Sequence, residues 1–355
     1  MEHILKANPD VMKILGDGTA TGSNYRLIKY LEVVEISSGV LMFNTLTREL
    51  VFLTKEEFEN VFSLEYMKQH WYVIPDELNE EEQLELIRWV YETRRTNKYI
   101  TEYTILSTTE CNARCHYCYE KQYKKHSMTK ETADQVVKYI LTNSGEEKIR
   151  LCWFGGEPLV NVEIIDYICS KLRENNTVFF SNMISNGYLM DKVMIKKAKN
   201  DWNLKKIQIT LDGTEDTYNA IKSYIYDGGS PFIIIMDNIR ALLDADVSVQ
   251  IRLNMNPNNA EDLLALVYEL GKKFGNDDNI CVYSHFILDS LKRQNEWYTD
   301  DEWEKLYQYQ EMIERVIRNE FVGSKSNHLS RRIKVNHCMA DSGTSRVIAP
   351  DGRIC

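Results

Sequence analysis

The sequence predicts an α/β fold for residues 101–320, because short apolar runs rich in β-branched and aromatic residues alternate there with amphipathic helical runs. The predicted strands are Tyr103–Leu106, Ile149–Phe154, Val178–Ile184, Ile207–Leu211, Val247–Leu253 and Ile280–Leu288. These six repeats are too few for a closed eight-stranded barrel. The predicted fold is therefore a partial (β/α)6 TIM-type barrel, whose open side would admit a large substrate.

Helical signals follow the predicted strands. Thr129 is the predicted N-cap of a helix, because an apolar face with helical spacing follows it. The residues of that face are Ala133, Val136, Val137, Ile140 and Leu141. Ser230-Pro231 opens another helix, since proline suits the first helical position, and the last helix is predicted from about Asp300 to Arg318. Functional side chains are expected in the loops after the carboxyl ends of the strands.

Residues 1–100 predict a separate α+β module with a small, winged-helix-like set of strands and helices. Tyr25–Ile36 and Leu41–Phe52 have the character of antiparallel strands, and Thr54-Lys-Glu-Glu57 is a capping box that opens a helix. The acidic stretch Pro75–Glu85 leads into a predicted helix, Gln83–Thr96. The predicted domains are therefore residues 1–100, residues 101–320 and a C-terminal extension of residues 321–355.

Composition argues against two classes of partner. The formal net charge is -10, whereas general affinity for nucleic acid needs a basic surface. The hydrophobic fraction of 43% is that of a soluble globular protein. No apolar run is long enough to span a membrane, and no basic start followed by an apolar run marks an export signal. We therefore expect a cytoplasmic protein that binds neither nucleic acid nor membranes.

Three of the eight cysteines, Cys111, Cys115 and Cys118, lie within one short stretch after the first predicted barrel strand. Such crowding in a chain without an export signal favours metal ligation over disulfides. Thiolates suit an iron–sulfur cluster, and three of them would leave one iron of a four-iron cluster open to a small molecule. Zinc with a distant fourth ligand, such as His116 or Cys152, is the alternative that the spacing leaves open.

A second motif, Gly155-Gly156-Glu157-Pro158, follows the second predicted strand. Glycines let the backbone approach a ligand closely, and the carboxylate of Glu157 can accept hydrogen bonds from an ammonium group. A Gly-Gly turn before a helix is also an ordinary structural feature. Because it follows a three-cysteine loop on the neighbouring strand, the motif indicates a ligand shaped like an amino acid that chelates the open iron.

Together, the two motifs resemble those of radical S-adenosylmethionine (SAM) enzymes. Cys111-x3-Cys115-x2-Cys118, with Tyr117 before the last cysteine, is similar to the family's cluster loop, and Gly155-Gly156-Glu157-Pro158 is similar to its methionine-binding turn. The resemblance covers about residues 101–320. It implies a [4Fe–4S] cluster whose open iron binds the amino and carboxylate groups of SAM, and reductive cleavage of SAM to a 5′-deoxyadenosyl radical that abstracts hydrogen from carbon.

The resemblance also implies roles for residues near the strand ends. Glu157 would orient the amino group of SAM, and Tyr117 would flank the adenine. The ribose would lie near Thr210 and near Ser185-Asn186. Arg252 is a candidate for the carboxylate, because a guanidinium can grip it with two hydrogen bonds; a buried structural ion pair is the alternative role.

Asp212 and Lys222 lie in a stretch where this chain departs from many peptide-modifying relatives. Asn219 and Lys222 stand where those relatives carry aspartate and arginine. If that arginine holds the cofactor, Lys222 offers only a point charge, and Arg252 would take over the role. Asp212 would either assist proton removal or cap a turn, and a turn cap is the more common role.

Residues 336–355 resemble the entry to a SPASM-type extension, which carries auxiliary iron–sulfur clusters. Pro350-Asp351-Gly352 predicts a hairpin turn that brings Cys338 and Cys355 together. Two cysteines do not complete a cluster, so one or two auxiliary [4Fe–4S] clusters are expected in the full-length protein, and two free thiols are the alternative. The other three cysteines are predicted to lie in the core: Cys152, Cys169 and Cys281.

The N-terminal module is similar in outline to the leader-peptide-recognition domains of radical SAM peptide maturases, in which an extended peptide can add a strand to a sheet edge. The leading hypothesis is an enzyme that abstracts hydrogen from a ribosomally made peptide and installs a thioether or carbon–carbon cross-link. Its expected partners are a precursor peptide with a leader and a low-potential electron donor of the flavodoxin or ferredoxin type. The alternatives are an anaerobic sulfatase-maturating-type enzyme that forms formylglycine, and a peptide-binding partner whose cluster is structural.

Overall fold

The computed structural model describes residues 1–18, 22, 24–94, 99–122, 124–226, 228–288, 297–322 and 343–354. These residues fall into two compact units. The first lies within Met1–Asn97, and the second lies within Lys98–Ser326 and Gly343–Cys355. No helix in these ranges is both long and apolar enough to cross a membrane.

The first unit is a small α+β module. Its strands are β1 (Glu2–Leu5), β2 (Tyr25–Leu27), β3 (Leu31–Ile36), β4 (Gly39–Asn44), β5 (Glu49–Leu53) and β6 (Val73–Pro75), and its helices are α1 (Pro9–Leu15), α2 (Lys55–Glu59), α3 (Glu65–Gln69) and α4 (Glu80–Arg94). Four strands form an antiparallel sheet in the order β1-β5-β4-β3, and β2 pairs with β6. The predicted capping box at Thr54 and Glu57 is confirmed, since each residue hydrogen-bonds the backbone of the other.

The two long strands predicted in this unit are wrong in detail, because each is interrupted. The first consists of β2 and β3, and the second consists of β4 and β5. The chain turns between β4 and β5 at Arg48, which has a left-handed backbone conformation with φ 60°. The side chain of Asn44 stabilises this turn by accepting hydrogen bonds from the amides of Leu46 and Thr47.

Strand β3 lies at an edge of the four-stranded sheet and is exposed along most of its length. Three apolar side chains, Val33, Val34 and Ile36, are 40%, 55% and 40% exposed. On its other side β3 pairs with β4, whose residues Val40 and Met42 are buried in the core of the unit. Exposed apolar edges favour pairing with another chain, and proteins usually protect them with charge, proline or a cover.

The second unit is the partial barrel predicted from the sequence. Its strands are β7 (Glu102–Thr108), β8 (Ile149–Gly155), β9 (Phe179–Ser185), β10 (Leu204–Leu211), β11 (Ser248–Met255), β12 (Ile280–Phe286) and β13 (Ser345–Ile348), and its helices are α5 (Lys130–Asn143), α6 (Val162–Glu174), α7 (Lys192–Asp201), α8 (Glu215–Lys222), α9 (Pro231–Asp244), α10 (Ala260–Phe274) and α11 (Asp300–Glu320). The strands pair in parallel in the order β12-β11-β10-β9-β8-β7-β13. The predicted N-cap at Thr129 and the helix start at Pro231 are confirmed.

Strand β13 adds a seventh strand that the sequence did not predict. It pairs in parallel with the first half of β7, so that Ser345 lies opposite Glu102 and Ile348 opposite Ile105. The chain then turns back, and Ile354 forms an antiparallel bridge with Ile348, which confirms the predicted turn at Pro350–Gly352. Cys338 and Cys355, the predicted auxiliary-cluster ligands, lie outside the described residues.

The two faces of the barrel sheet differ in burial. Alternate side chains of each strand pack against the helices in one continuous core, which includes Cys169 of α6 as predicted. The side chains between them face the inside of the open barrel and are half-buried. Cys152 and Cys281 are on this inner face, so the prediction that they are core residues is wrong. Side chains alternate between the two faces along a strand. An apolar strand sequence alone therefore did not show that these two cysteines point to the inner face.

Candidate active site

The loop after β7 carries Cys111, Cys115 and Cys118, at the carboxyl edge of the barrel where chemistry is expected. All three thiols are free and half-buried. The amide of Ala113 donates to Cys111 Sγ at 3.4 Å. Burial raises the pKa of the Cys111 thiol to about 11 and raises that of Cys115 as well. Metal binding at this loop must therefore displace protons from the thiols.

A single zinc ion and an iron–sulfur cluster make different demands on the ligands of this loop. In the part of the chain that the structure describes, no three His, Cys, Asp or Glu side chains converge closely enough to hold one metal ion. A [4Fe–4S] cluster binds each thiolate through a different iron, so its ligands do not meet at one point. The all-sulfur donor set also suits iron and sulfide.

Gly155 and Gly156 let the end of β8 lie directly against the start of the cysteine loop. Gly155 has φ +127°, and a Cβ added to it would lie 2.1 Å from the carbonyl oxygen of Thr108. A Cβ on Gly156 would lie 2.3 Å from the carbonyl oxygen of Glu110. The space beside both glycines is thus filled by the backbone of the cysteine loop. The neighbours observed beside these glycines are therefore backbone atoms of the protein. The expectation that the glycines allow close approach of a ligand stays a prediction.

Glu157 is completely buried and hydrogen-bonded within the protein. One carboxylate oxygen accepts from the Ser185 hydroxyl at 2.9 Å and from the Leu159 amide at 3.1 Å, and the other accepts from the Asn186 amide at 2.8 Å. Burial raises the pKa of Glu157 to about 7, although these donors favour the charged form. Glu157 therefore fixes the position of Ser185 and Asn186 at the end of β9.

The raised pKa of Glu157 predicts a pH dependence of stability. Between an unfolded pKa near 4.5 and a folded pKa of about 7, the folded state binds more protons, so the stability contributed by this group is present below pH 4.5 and is lost as the pH rises through 7. The shift corresponds to about 3 kcal/mol. Urea titrations at several pH values should show that the stability of the wild type falls relative to that of Glu157→Gln as the pH rises from 4.5 through 7. Equal slopes in the two proteins would contradict the assignment.

Asp212 and Lys222 form a buried ion pair beneath the cysteine loop. The Lys222 side chain is 3% exposed and the Asp212 side chain 0%, and Lys222 Nζ lies 2.9 Å from Asp212 Oδ2. The same ammonium donates to Thr210 Oγ1 at 2.8 Å and to the Tyr117 hydroxyl at 3.1 Å. Burial alone lowers the pKa of Lys222, but the charge of Asp212 raises it well above its ordinary value. The predicted turn-cap role of Asp212 is wrong, because its carboxylate binds side chains of other elements.

The guanidinium of Arg252 has a buried nitrogen that forms no hydrogen bond with the described residues. Its Nε atom is inaccessible and has no hydrogen-bond partner among the described residues, and no ion pair of Arg252 is found there either. The suggested structural ion pair is therefore absent from the described part of the chain. Thr210, Arg252 and Tyr283 are at one level on neighbouring strands of the inner face. A guanidinium in this position is available to an anionic ligand.

Two site residues, Asn112 and Asn254, were missed by sequence reasoning. The Asn186 side chain donates to Asn112 Oδ1 at 2.7 Å and lies 3.9 Å from Cys111 Sγ, and Asn254 donates to the Tyr117 hydroxyl at 3.1 Å. Asn254 lies near the carboxyl end of β11, a position that could have identified it. The predicted contacts with SAM stay predictions for Tyr117, Gly155, Gly156, Glu157, Ser185, Asn186, Thr210 and Arg252.

The fold and the site together are those of a partial barrel that carries three free thiols in the loop at the carboxyl end of its first strand. The family comparison is more specific. Residues 105–269 match the model of the radical SAM superfamily. A [4Fe–4S] cluster and SAM are the cofactors that this superfamily implies, and the thiolate donors and the unpartnered Arg252 fit them.

The curated relatives include several GTP 3′,8-cyclases. The protein of Clostridium perfringens (strain SM101 / Type A) is 30% identical over 174 residues, which are 46% of this chain and 50% of that protein. The protein of Staphylococcus carnosus (strain TM300) is 26% identical over 172 residues, or 46% of this chain and 47% of that one. This chain thus spans about half the length of the curated relatives it matches.

The solved structures that share the fold include the following two. Native anSMEcpe with bound AdoMet and Kp18Cys peptide has a TM-score of 0.52 at 17% identity, with 63% of each chain covered. Streptococcus suis SuiB bound to precursor peptide SuiA has a TM-score of 0.51 at 12% identity, covering 93% of this chain and 82% of that one. At these identities the similarity shows the fold alone.

Proposed function

We propose that the protein is a radical SAM enzyme that modifies a ribosomally made precursor peptide by forming a thioether or carbon–carbon cross-link. The cysteine loop at the carboxyl edge of the barrel supports the radical chemistry. The exposed edge strand β3 supports the peptide substrate and is the observation that carries this part of the proposal. The peptide-bound states of anSMEcpe and SuiB are compatible with it.

When bound, the cluster and SAM supply a 5′-deoxyadenosyl radical that takes a hydrogen atom from carbon. The side chains of this chain bind and orient. Cys111, Cys115 and Cys118 would ligate the cluster and Arg252 would receive the carboxylate of SAM, while Glu157 holds the end of β9 in place. Cross-linking removes a second hydrogen from the peptide as a proton and an electron, and the electron passes to a one-electron acceptor of the iron–sulfur or flavodoxin class.

Strand addition at β3 would supply affinity for the leader through main-chain hydrogen bonds. The exposed side chains Val33, Val34 and Ile36 would contact alternate side chains of the peptide. Such a strand tolerates varied sequences, because the backbone makes most of the bonds. The docked leader would keep the core segment of the peptide at high effective concentration near the barrel.

The double variant Val33→Lys/Val34→Lys should weaken leader-peptide binding at least about tenfold, because it removes two of the exposed apolar side chains that would contact the peptide. Both positions are exposed, so the thermal midpoint should change little. Fluorescence anisotropy with a labelled leader peptide measures the affinity. Val193→Lys, at a valine that is 78% exposed in the other unit, is the matched control and should bind normally. Equal affinity of the double variant and the control would exclude β3 as the docking edge.

The names of the curated relatives favour a second candidate, a reaction on GTP. Anaerobic incubation with SAM and reductant, once with the peptide encoded beside the gene and once with GTP, separates the two candidates. Mass spectrometry of the peptide should show loss of two hydrogens and a cross-link in its fragmentation pattern. Formylglycine at one Cys or Ser residue would instead indicate a sulfatase-maturating type of reaction. Consumption of GTP with no change in the peptide would overturn the proposal.

A further inference from the structure

Lys222 is the last residue of α8, and its ammonium is buried against the cysteine loop. An ammonium group has three hydrogens to donate. Here the ammonium donates to Thr210 Oγ1 at 2.8 Å and to the Tyr117 hydroxyl at 3.1 Å, and it forms an ion pair with Asp212 Oδ2 at 2.9 Å. The lysine therefore joins the end of β10 to the loop that carries the three cysteines.

The hydroxyl of Tyr117 is fixed in return by three groups. It donates to Asp212 Oδ1 at 2.7 Å and accepts from Lys222 Nζ and from Asn254 Nδ2, each at 3.1 Å. The backbone reinforces this contact, because the Arg114 amide donates to the Lys222 carbonyl oxygen at 2.8 Å. Position 222 thus binds the cysteine loop through both its side chain and its backbone.

A buried ion pair is a poor device for stability alone, since well-packed apolar residues can often replace it without loss. What distinguishes such a pair is that its hydrogen bonds are directional, because each N–H donor requires an acceptor atom at a defined position. We infer that Lys222 is a positioning residue that fixes Tyr117 and thereby orders the Cys111–Cys118 loop before any cofactor binds. This inference depends on the proposed function only for the identity of the cofactors that the loop binds. The ordering of the loop is a property of the chain without cofactors.

The test must separate positioning from charge compensation. Lys222→Met alone leaves the buried charge of Asp212 uncompensated and can unfold the protein. The double variant Lys222→Met/Asp212→Asn is neutral and retains an oxygen for Tyr117, so it isolates the loss of the ammonium. Lys197→Met is the matched control, because it removes a surface lysine that pairs with Asp166 at 2.7 Å away from the site.

Amide hydrogen exchange of the cofactor-free protein is the first measurement. In the neutral double variant, the amides of Asn112 to Cys118 should exchange at least about tenfold faster than in the wild type, while the amides of α5 and α6 should keep their rates. A 3-fluorotyrosine label at position 117 should show a changed ¹⁹F line width in the same variant. The control should match the wild type in both measurements. Wild-type exchange and line width in the double variant would show that Lys222 only balances Asp212.

Coupling to Tyr117 is the second measurement. If Lys222 acts through this ring, Tyr117→Phe should accelerate loop exchange less in the neutral double variant than in the wild type, because part of what holds the phenol is already lost with the ammonium. Additive effects would contradict the inference. Both measurements use protein without cofactors, so a wild type that fails to assemble a cluster would overturn the proposed function and leave this result intact. In a wild type that does assemble one, the double variant should bind SAM about tenfold more weakly.

Discussion

Serine in place of Cys111, Cys115 or Cys118 should give a folded protein that no longer holds a four-iron cluster. The three thiols are half-buried in a loop outside the hydrophobic core, so an oxygen of similar size costs little stability. A hydroxyl is a much harder ligand than a thiolate and binds iron–sulfur clusters poorly. Loss of groups that merely orient metal ligands costs 10- to 100-fold, so loss of a ligand should lower SAM cleavage by at least about a hundredfold.

Iron and sulfide per chain, the visible spectrum and the 5′-deoxyadenosine formed after reduction measure this effect. Cys281→Ser is the matched control, because Cys281 is also free and half-buried but lies on the inner face at the start of β12. It should retain iron and activity. A variant of one of the three loop cysteines with the wild-type iron content would remove that cysteine from the ligand set, and a cluster retained by all three variants would exclude the loop as its site.

The six β/α repeats and the two motif loops could be predicted because their signals are local. Apolar, β-branched runs mark the strands, and a hydroxyl or a proline at a helix start marks the caps at Thr129 and Pro231. The turn at Pro350–Gly352 is equally local. Strand β13 carries no such signal: it has four residues, and its partner in β7 lies 243 positions earlier, as the Ser345–Glu102 hydrogen bond shows. Its pairing depends on tertiary contacts that the sequence does not display.

The roles of individual site residues were harder to predict than their location. Asp212 has the local environment of a turn residue, and only the fold brings Lys222 and Tyr117 to its carboxylate. Lys222 ends a helix, where a lysine is ordinarily solvated. Cys152 lies in an apolar strand, but the open barrel leaves its inner face half-buried. In each case, residues distant in sequence determine the surroundings of the side chain, and local patterns cannot encode them.

Gly155→Ala should strongly destabilise the barrel. The new Cβ would lie 2.1 Å from the carbonyl oxygen of Thr108, and φ of +127° is a conformation that L side chains rarely adopt. The carbonyl cannot retreat freely, because it accepts the Gly156 amide at 3.0 Å and belongs to the strand that pairs with β8. Clash and backbone strain together should lower the free energy of unfolding of the barrel by about 3–5 kcal/mol.

Gly229→Ala provides the control that separates strain from clash. Gly229 also has a positive φ, +71°, but a Cβ there meets no atom within 4 Å. Its cost should be about 1 kcal/mol, the ordinary penalty for an L residue in the left-handed region. Urea unfolding of both variants measures the difference. Because Gly155 also positions Glu157, and through it Ser185 and Asn186, any Gly155→Ala protein that folds should bind SAM more weakly than the Gly229→Ala protein. Similar unfolding free energies for the two variants would show that the β8 turn does not need to lie against the cysteine loop.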